Sequence, residues 1–212
     1  MNITIVDYGV GNLYSIKRAV EVCSTHDVII GAGYEDIKNA DRLILPGVGA
    51  FTNGMYGLAS RGLVESLKDY AISGRPMLGI CLGMQMLSTV SYEFAVCEGL
   101  NIIPGTVTSI PSQGVNGKNL RIPYVGWSTL VHSNGDAFKE SIIEPILPSQ
   151  SVYFVHSFSV TPDRSSDVLA TYQYGGLEIV AAIKKDNVTG LQFHPEKSGS
   201  VGLSVLKKFI LE

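Results

Sequence analysis

The stretch MLGICLGMQML, residues 77–87, decides the fold class. Met77 to Cys81 is a short apolar run that predicts a strand, and the apolar residues from Met84 onward predict a helix directly after it. Gly79 and Gly83 flank Cys81 and permit a sharp turn between the two elements. Strands that alternate with helices build parallel sheets that are covered by helices on both faces. This stretch therefore predicts an α/β fold.

The amino-terminal half repeats the same alternation of strands and helices. Strands are predicted at Ile3 to Val6, at Val28 to Ile30, which we expect to be buried, and at Leu43 to Leu45. Helices are predicted at Leu13 to Cys23, with Asn12 as the N-cap, and from about Gly54 to Ser73. Reactive groups in such sheets lie at the carboxyl ends of the strands. Glycine-rich turns follow three of these strands, at residues 9–11, 47–49 and 79–83.

The residue pattern changes between about Leu100 and Gln192. Short β-branched or aromatic runs alternate there with clusters of Gly, Pro, Asn and Ser, which predicts a smaller antiparallel section. Gly202 to Leu211 then predicts a closing helix. No linker or internal repeat interrupts the chain, so residues 1–212 are predicted to form one domain.

Composition excludes several classes of protein. Hydrophobic residues make up 45% and charged residues 17%, which excludes intrinsic disorder. A net charge of −3 does not suit a nucleic-acid-binding protein, which needs clustered Lys and Arg. The start has no cationic signal region, and nowhere do about 20 apolar residues run together, so we expect neither secretion nor a membrane span. Three widely spaced cysteines predict neither a disulfide framework nor a metal site and fit the reducing cytoplasm.

Cys81 is the first candidate catalytic residue. The sequence around it is the thiol version of the G-x-S-x-G nucleophile elbow, in which the nucleophile lies on a strained strand-to-helix turn. The free N–H groups at the start of the following helix favour a thiolate, and the N–H of Leu82 is placed to stabilise an oxyanion. The alternative is a buried, inert cysteine, which is our interpretation of Cys23 and Cys97.

A thiolate nucleophile needs a base, and a base is best oriented by an acid. His194 follows a predicted strand in the sequence QFHPE, and Glu196 comes two residues later on a backbone constrained by proline. Cys81, His194 and Glu196 are thus predicted to form a catalytic triad, although a His-Pro-Glu tripeptide alone is more often a turn. His26 and His132, the latter next to residues 133–135, are predicted to lie in surface loops. His156 is either structural or shapes a site.

The chain resembles the class I, triad-type glutamine amidotransferases in GICLGMQ at residues 79–85 and QFHPEKS at residues 192–198. Three further segments, IVDYGVGNL (5–13), LPGVG (45–49) and PYVGW (123–127), resemble one subfamily of these enzymes. The resemblance implies a flavodoxin-like, mostly parallel sheet that is flanked by helices, and no cofactor. It also implies hydrolysis of the glutamine side-chain amide through a glutamyl thioester.

The resemblance also implies roles for individual residues. Cys81 would attack the amide, His194 would shuttle the proton, and Glu196 would orient His194. Oxyanion donors would come from Leu82 and from Val48 or Gly49. The substrate-binding positions would be Gln85, Glu93, Ser157 and Phe158, with Glu93 on the α-ammonium group of L-glutamine.

In the resembled subfamily, ammonia passes to a separate (β/α)₈ synthase subunit that closes an imidazole ring in histidine biosynthesis. The positions that match this heterodimer interface are Asn12, Trp127, Tyr153 and Lys197, although the alternative for Trp127 is partial burial in the core. Ser128 stands where the subfamily usually has Asn. Two alternatives therefore stay open: a glutaminase that supplies ammonia for amidation of a surface-glycan sugar, and a catalytically silent subunit on the same fold.

Overall fold

The computed structural model describes residues 1–132 and 138–211. Its strands are β1 (Asn2–Val6), β2 (Asp27–Gly31), β3 (Arg42–Leu45), β4 (Met77–Ile80), β5 (Val90–Ser91), β6 (Cys97–Glu98), β7 (Gly105–Ser109), β8 (Tyr124–Thr129), β9 (Val131–His132), β10 (Ser151–His156), β11 (Phe158–Pro162), β12 (Val168–Tyr174), β13 (Leu177–Lys185) and β14 (Val188–Leu191). The helices that are described in full are α1 (Leu13–Cys23), α2 (Tyr34–Lys38), α3 (Phe51–Ser60), α4 (Leu63–Ile72), α5 (Leu82–Met86) and α6 (Gly199–Leu211). Short 3₁₀ helices occupy Ser165–Asp167 and Pro195–Lys197.

The main sheet has the strand order β2-β1-β3-β4-β14-β13-β12-β9. Strands β2, β1, β3, β4 and β14 pair in parallel, and β13, β12 and β9 extend the sheet in antiparallel fashion. A second sheet has the order β11-β7-β5-β6, and β10 pairs with β8. The prediction of a mostly parallel α/β sheet with a smaller antiparallel section is confirmed.

Apolar residues cover both faces of the main sheet. Ile44 packs with α1 and α6 on one face, whereas its neighbours Leu43 and Leu45 pack with α2 to α5 on the other. This alternation follows from the two-residue period of a strand. Burial on both faces explains why the central strands read as continuous apolar runs.

The structure corrects two predicted elements. The helix predicted from Gly54 to Ser73 is two helices, α3 and α4, because Gly62 between them has a left-handed φ of +68°. Strand β2 is an edge strand, so Ile29 and Ile30 are exposed rather than buried.

The prediction that His132 lies in a surface loop is also wrong. His132 belongs to β9, where it pairs with Ala170 of β12, and its ring contacts Phe138. Residues 133–135, predicted as loop beside it, lie outside the described residues. Across residues 1–132 and 138–211, no helix combines the length and apolar character needed to cross a membrane.

Candidate active site

Cys81 lies at the sharp turn between β4 and α5. Its backbone has φ +53° and ψ −108°, a conformation that costs a non-glycine residue free energy. The Cys81 N–H donates to the carbonyl of Leu191 at 2.7 Å, which ties the turn to β14. Gly83 is required here, since a Cβ at that position would lie 1.9 Å from the carbonyl oxygen of Leu45. The elbow thus holds the sulfur at the carboxyl end of the sheet.

His194 and Glu196 follow the neighbouring strand, β14. The Nδ1 atom of His194 lies 2.8 Å from Oε1 of Glu196, and both side chains are buried. The Nε2 atom of His194 is buried and has no hydrogen-bond partner among the described residues. Cys81 and His194 line the same pocket. The structure therefore brings the three predicted triad residues together, with the acid on one side of the imidazole ring and the thiol in the shared pocket.

The protonation of His194 reflects two opposing influences. Burial alone lowers its pKa, but the interactions with Cys81 and Glu196 outweigh burial and raise the pKa to about 9. An imidazolium ion is consequently favoured at neutral pH. A positive charge next to a thiol stabilises the thiolate.

The backbone of His194 is held by strand β10. Its N–H donates to the carbonyl of Tyr153 at 2.9 Å. The Ser198 hydroxyl donates to the His194 carbonyl at 2.7 Å and accepts from the N–H of Tyr153 at 2.9 Å. These bonds fix the position of the imidazole relative to β10.

The pocket in front of Cys81 has a volume of about 320 Å³. Leu82, Val48 and Gly49, the predicted oxyanion donors, all line it. Val48 and Gly49 are exposed, whereas Pro46 and Gly47 before them are buried. The Tyr8 hydroxyl donates to the Pro46 carbonyl at 2.6 Å and anchors the start of this turn.

The predicted substrate-binding residues Gln85, Glu93, Ser157 and Phe158 also line this pocket. Glu93 also has a structural contact: its Oε2 accepts from the N–H of Phe51 at 2.6 Å and so caps α3. Gln85 donates to the carbonyl of Phe158 and to the side chain of Gln192.

Two residues that the sequence left without a role, and His156, whose role it left open, also belong to the site. Gln192 is fully buried, and its amide nitrogen lies 3.6 Å from the Cys81 sulfur. The only feature of the sequence that points to Gln192 is its position two residues before His194.

Phe94 is 86% exposed at the pocket rim, has a positive φ and packs edge-on against Phe158. No pattern in the sequence distinguishes it.

His156 is the third of these residues, and it lines the pocket wall. Its Nδ1 lies 2.8 Å from the Phe158 carbonyl, and its Nε2 lies 2.9 Å from the Tyr172 hydroxyl. Because a carbonyl only accepts, Nδ1 carries the hydrogen and Nε2 accepts from the tyrosine. Burial lowers the pKa of His156 to about 4, so the ring is neutral at physiological pH.

Three of the four predicted interface residues form one stack. The rings of Trp127 and Tyr153 lie 5.7 Å apart, and Nζ of Lys197 lies 5.9 Å from the Tyr153 ring centre. Trp127 is 55% exposed, so the alternative of core burial is not what the structure shows. Asn12 is exposed, and its side chain caps α1 by accepting from the N–H of Ser15. The described residues contain no cluster of three metal-ligating side chains.

Residues 4–212 match the family described as glutamine amidotransferase class-I. The chain is 48% identical over 210 residues to imidazole glycerol phosphate synthase subunit HisH 1 of Legionella pneumophila strain Paris, covering 99% of this chain and 98% of that protein. It is 42% identical over 212 residues to subunit HisH of Geobacter metallireducens, covering 99% and 97%. Among solved structures, PurLQS from Thermotoga maritima is similar with a TM-score of 0.68 at 20% identity, covering 99% of this chain and 97% of that one. The similarity to PurLQS supports the fold alone, because the identity is only 20%.

Proposed function

The chain belongs to the class-I glutamine amidotransferase family, and from that premise we propose that it is the glutaminase subunit of an imidazole glycerol phosphate synthase. It hydrolyses L-glutamine to glutamate and ammonia for histidine biosynthesis. The observation that carries the proposal is the buried Glu196–His194 pair beside Cys81 on its strained turn. These are the groups that a thiol-dependent amide hydrolysis requires.

Hydrolysis proceeds in two stages. Nε2 of His194 holds the proton in the resting enzyme, and the Cys81 thiolate attacks the side-chain amide carbon of glutamine. The oxyanion that forms accepts from the N–H of Leu82 and from an N–H of the Val48–Gly49 turn. His194 then gives its proton to the departing ammonia, which leaves a glutamyl thioester on Cys81. A water molecule, deprotonated by His194, attacks the thioester, and glutamate is released as the Cys81 thiolate and the His194 imidazolium are restored.

The pocket holds the amino-acid end of the substrate. Glu93 is the only acidic side chain among the described residues that line it, and its carboxylate anchors the α-ammonium group. The other anchors are Gln85, Ser157 and Phe158. Because Glu93 also caps α3, the substrate charge and the α3 terminus share one carboxylate.

The ammonia is used by a (β/α)₈ cyclase subunit of the HisF type, in a cytoplasmic heterodimer. Free ammonia in water would take up a proton and lose its nucleophilicity, so the two sites must be connected through the interface. The stack of Trp127, Tyr153 and Lys197, together with Asn12, forms part of that interface. The stack contains Tyr153, whose carbonyl also holds the backbone of His194, and this supports its position near the glutaminase site.

A Cys81→Ala variant tests the proposal in the assembled complex. We expect glutamine-dependent product formation to disappear, while ammonium salt at alkaline pH still supports it, because Cys81 makes ammonia but does not use it. His194→Ala should reduce the glutamine reaction by about 10³-fold or more, and combining it with Cys81→Ala should cost little extra, since triad members act as a unit. Cys97→Ala, a change at a cysteine outside the site, is the matched control. Glutamine turnover by the Cys81→Ala complex would show the assignment to be wrong.

The second candidate is a glutaminase that serves a sugar acceptor in surface-glycan synthesis. Ser128, which stands where the resembled subfamily usually has Asn, favours it, because Ser128 follows Trp127 of the proposed interface in β8. Glutamine hydrolysis carries no information about the acceptor. Assaying ammonium-dependent product formation with each acceptor and its synthase separates the two functions.

A further inference from the structure

A chain of buried hydrogen bonds leads to the Cys81 sulfur from the corner between β10 and β11. It begins at the Phe158 carbonyl, which accepts from Nε2 of Gln85 at 3.1 Å. The same Gln85 nitrogen donates to Oε1 of Gln192 at 3.0 Å. Nε2 of Gln192 then lies 3.6 Å from the sulfur of Cys81. The triad mechanism uses neither the contact between Gln85 and Gln192 nor the contact between Gln192 and the sulfur.

The orientation of the Gln192 amide is fixed by this chain. A main-chain carbonyl can only accept, so the –NH₂ group of Gln85 must face Phe158. The second hydrogen of that –NH₂ group needs an acceptor, which places the oxygen of Gln192 toward Gln85. The –NH₂ group of Gln192 consequently faces the sulfur. Nδ1–H of His156 donates to the same Phe158 carbonyl at 2.8 Å, which further holds the starting point in place.

We propose that Gln192 is a further catalytic residue, whose side-chain amide donates to the Cys81 sulfur and stabilises the thiolate. The proposal rests on the proposed glutaminase function. A donor bonds more strongly to a charged sulfur than to a neutral thiol, so it favours the charged form. Gln192 is fully buried, and water cannot replace the bond. Gln85 acts as a positioning residue for it by fixing which end of the amide meets the sulfur.

Other titratable groups also surround the sulfur. His194, backed by Glu196, faces it from the turn after β14, and Tyr8 at the end of β1 interacts with its charge. Glu93 and His156 line the same pocket. A change at Gln192 leaves all of these charges in place, so its effect on the ionisation of the sulfur can be measured separately.

The test is the pH dependence of iodoacetamide alkylation of Cys81 in the full-length chain, with the labelled site identified by peptide mass spectrometry. Gln192→Met has a similar volume but no donor. We expect the midpoint of its alkylation profile to rise by about one pH unit, within the range for a hydrogen bond to a charged group, and glutamine kcat/KM in the complex to fall about 10-fold. Gln192→Asn keeps a polar amide at this position but withdraws it from the sulfur, so it should move the midpoint in the same direction.

Thr189→Val is the matched control, since it also removes a buried polar group but lies within β14, near the start of its pairing with β4 and away from Cys81. Its alkylation midpoint should equal that of the wild type. If folded Gln192→Met and Gln192→Asn both follow the wild-type profile, Gln192 only fills space and the proposal is overturned. Alkylation does not depend on glutamine or on a partner, so that outcome leaves the glutaminase function standing. A shifted profile in an enzyme that never hydrolyses glutamine would overturn the function instead.

Discussion

At the residue scale, His156 and His194 border the same pocket, and burial lowers the pKa of both, but their pKa values are shifted in opposite directions overall. His194 has a carboxylate and a thiol as neighbours, and these raise its pKa to about 9 despite burial. The nearest partners of His156 are a neutral hydroxyl and a carbonyl, so burial dominates and lowers its pKa to about 4. The ring of His194 is thus charged, as its proposed role in proton transfer requires, and the ring of His156 is neutral as part of the pocket wall.

These pKa values predict opposite effects of pH on stability. The contribution of His194 is present below about pH 6.5, its unfolded pKa, and is lost as the pH rises toward 9. The folded state keeps His156 neutral down to about pH 4, so protonation of the unfolded chain destabilises the protein as the pH falls from 6.5 toward 4. Between pH 6.5 and 4.5 the loss of unfolding free energy from His156 should be roughly 2 kcal/mol.

Urea unfolding of the wild type and of His156→Gln at both pH values measures this loss. The variant will be less stable overall, but its difference between the two pH values should be smaller by that amount. An equal decline in both proteins would mean that His156 already binds a proton in the folded state.

The sequence predicted the residues of the site better than their contacts. Cys81, His194 and Glu196 stand out because the elbow and the His-Pro-Glu turn are local patterns. Gln192 contacts residues 107 and 111 positions away, and Glu93 caps a helix that begins 42 positions earlier. Such contacts depend on which strands become neighbours in the sheet. No short sequence pattern contains the strand order, so these contacts could not be predicted.

At the scale of elements, the turn from Pro46 to Gly49 carries the proposed second oxyanion donor. Tyr8, at the end of β1, holds the Pro46 carbonyl, and a Cβ on Gly47 would lie 2.5 Å from the Tyr8 hydroxyl. The first half of the turn is therefore packed tightly, whereas Val48 and Gly49 lie open on the pocket surface.

Tyr8→Phe should loosen this turn. It leaves a buried carbonyl without a partner, which costs about 1–3 kcal/mol of stability, and we expect glutamine kcat to fall about 10-fold with little change in KM. Tyr70→Phe removes an analogous bond, from the Tyr70 hydroxyl to the Pro76 carbonyl, at the opposite end of the parallel strands. Thermal unfolding and steady-state kinetics of both variants separate stability from catalysis. Equal kcat losses in the two variants would contradict a role for the turn.

The spacing of apolar residues predicted the helices and strands of the main sheet, but it did not predict where a helix ends or which strand lies at the edge. The apolar spacing of residues 54–73 continues through Gly62, so only the left-handed backbone at that glycine reveals two helices. β2 is as apolar as the central strands, yet it lies at the edge of the sheet. Its position depends on the order of strands, which the pattern of a single strand does not contain.

At the scale of the whole molecule, the pocket in front of Cys81 and the proposed interface stack of Trp127, Tyr153 and Lys197 share strand β10. Tyr153 packs between Trp127 and Lys197 on its side-chain face, and its carbonyl holds the N–H of His194. A partner subunit that covers this stack would therefore contact a strand that positions the catalytic base. The exposed turn at Val48 and Gly49 borders the same pocket, and its Gly49 has a φ of +98° with open space around it.

We therefore expect glutamine hydrolysis to depend on the partner. Glycines on both sides of Val48 allow the peptide to flip, so the turn can exist with its N–H directed toward or away from the oxyanion. One oxyanion donor is worth about 2.7–4 kcal/mol, or roughly 10²–10³ in rate, so a single flip would account for full activation. The chain alone should hydrolyse glutamine slowly, and the synthase subunit with bound acceptor should raise the rate by about 10²-fold or more. Glutamine turnover is to be measured for the chain alone, with the partner, and with partner plus acceptor. Equal rates under all three conditions would show that the turn is already competent in the free chain, and would leave the triad assignment unaffected.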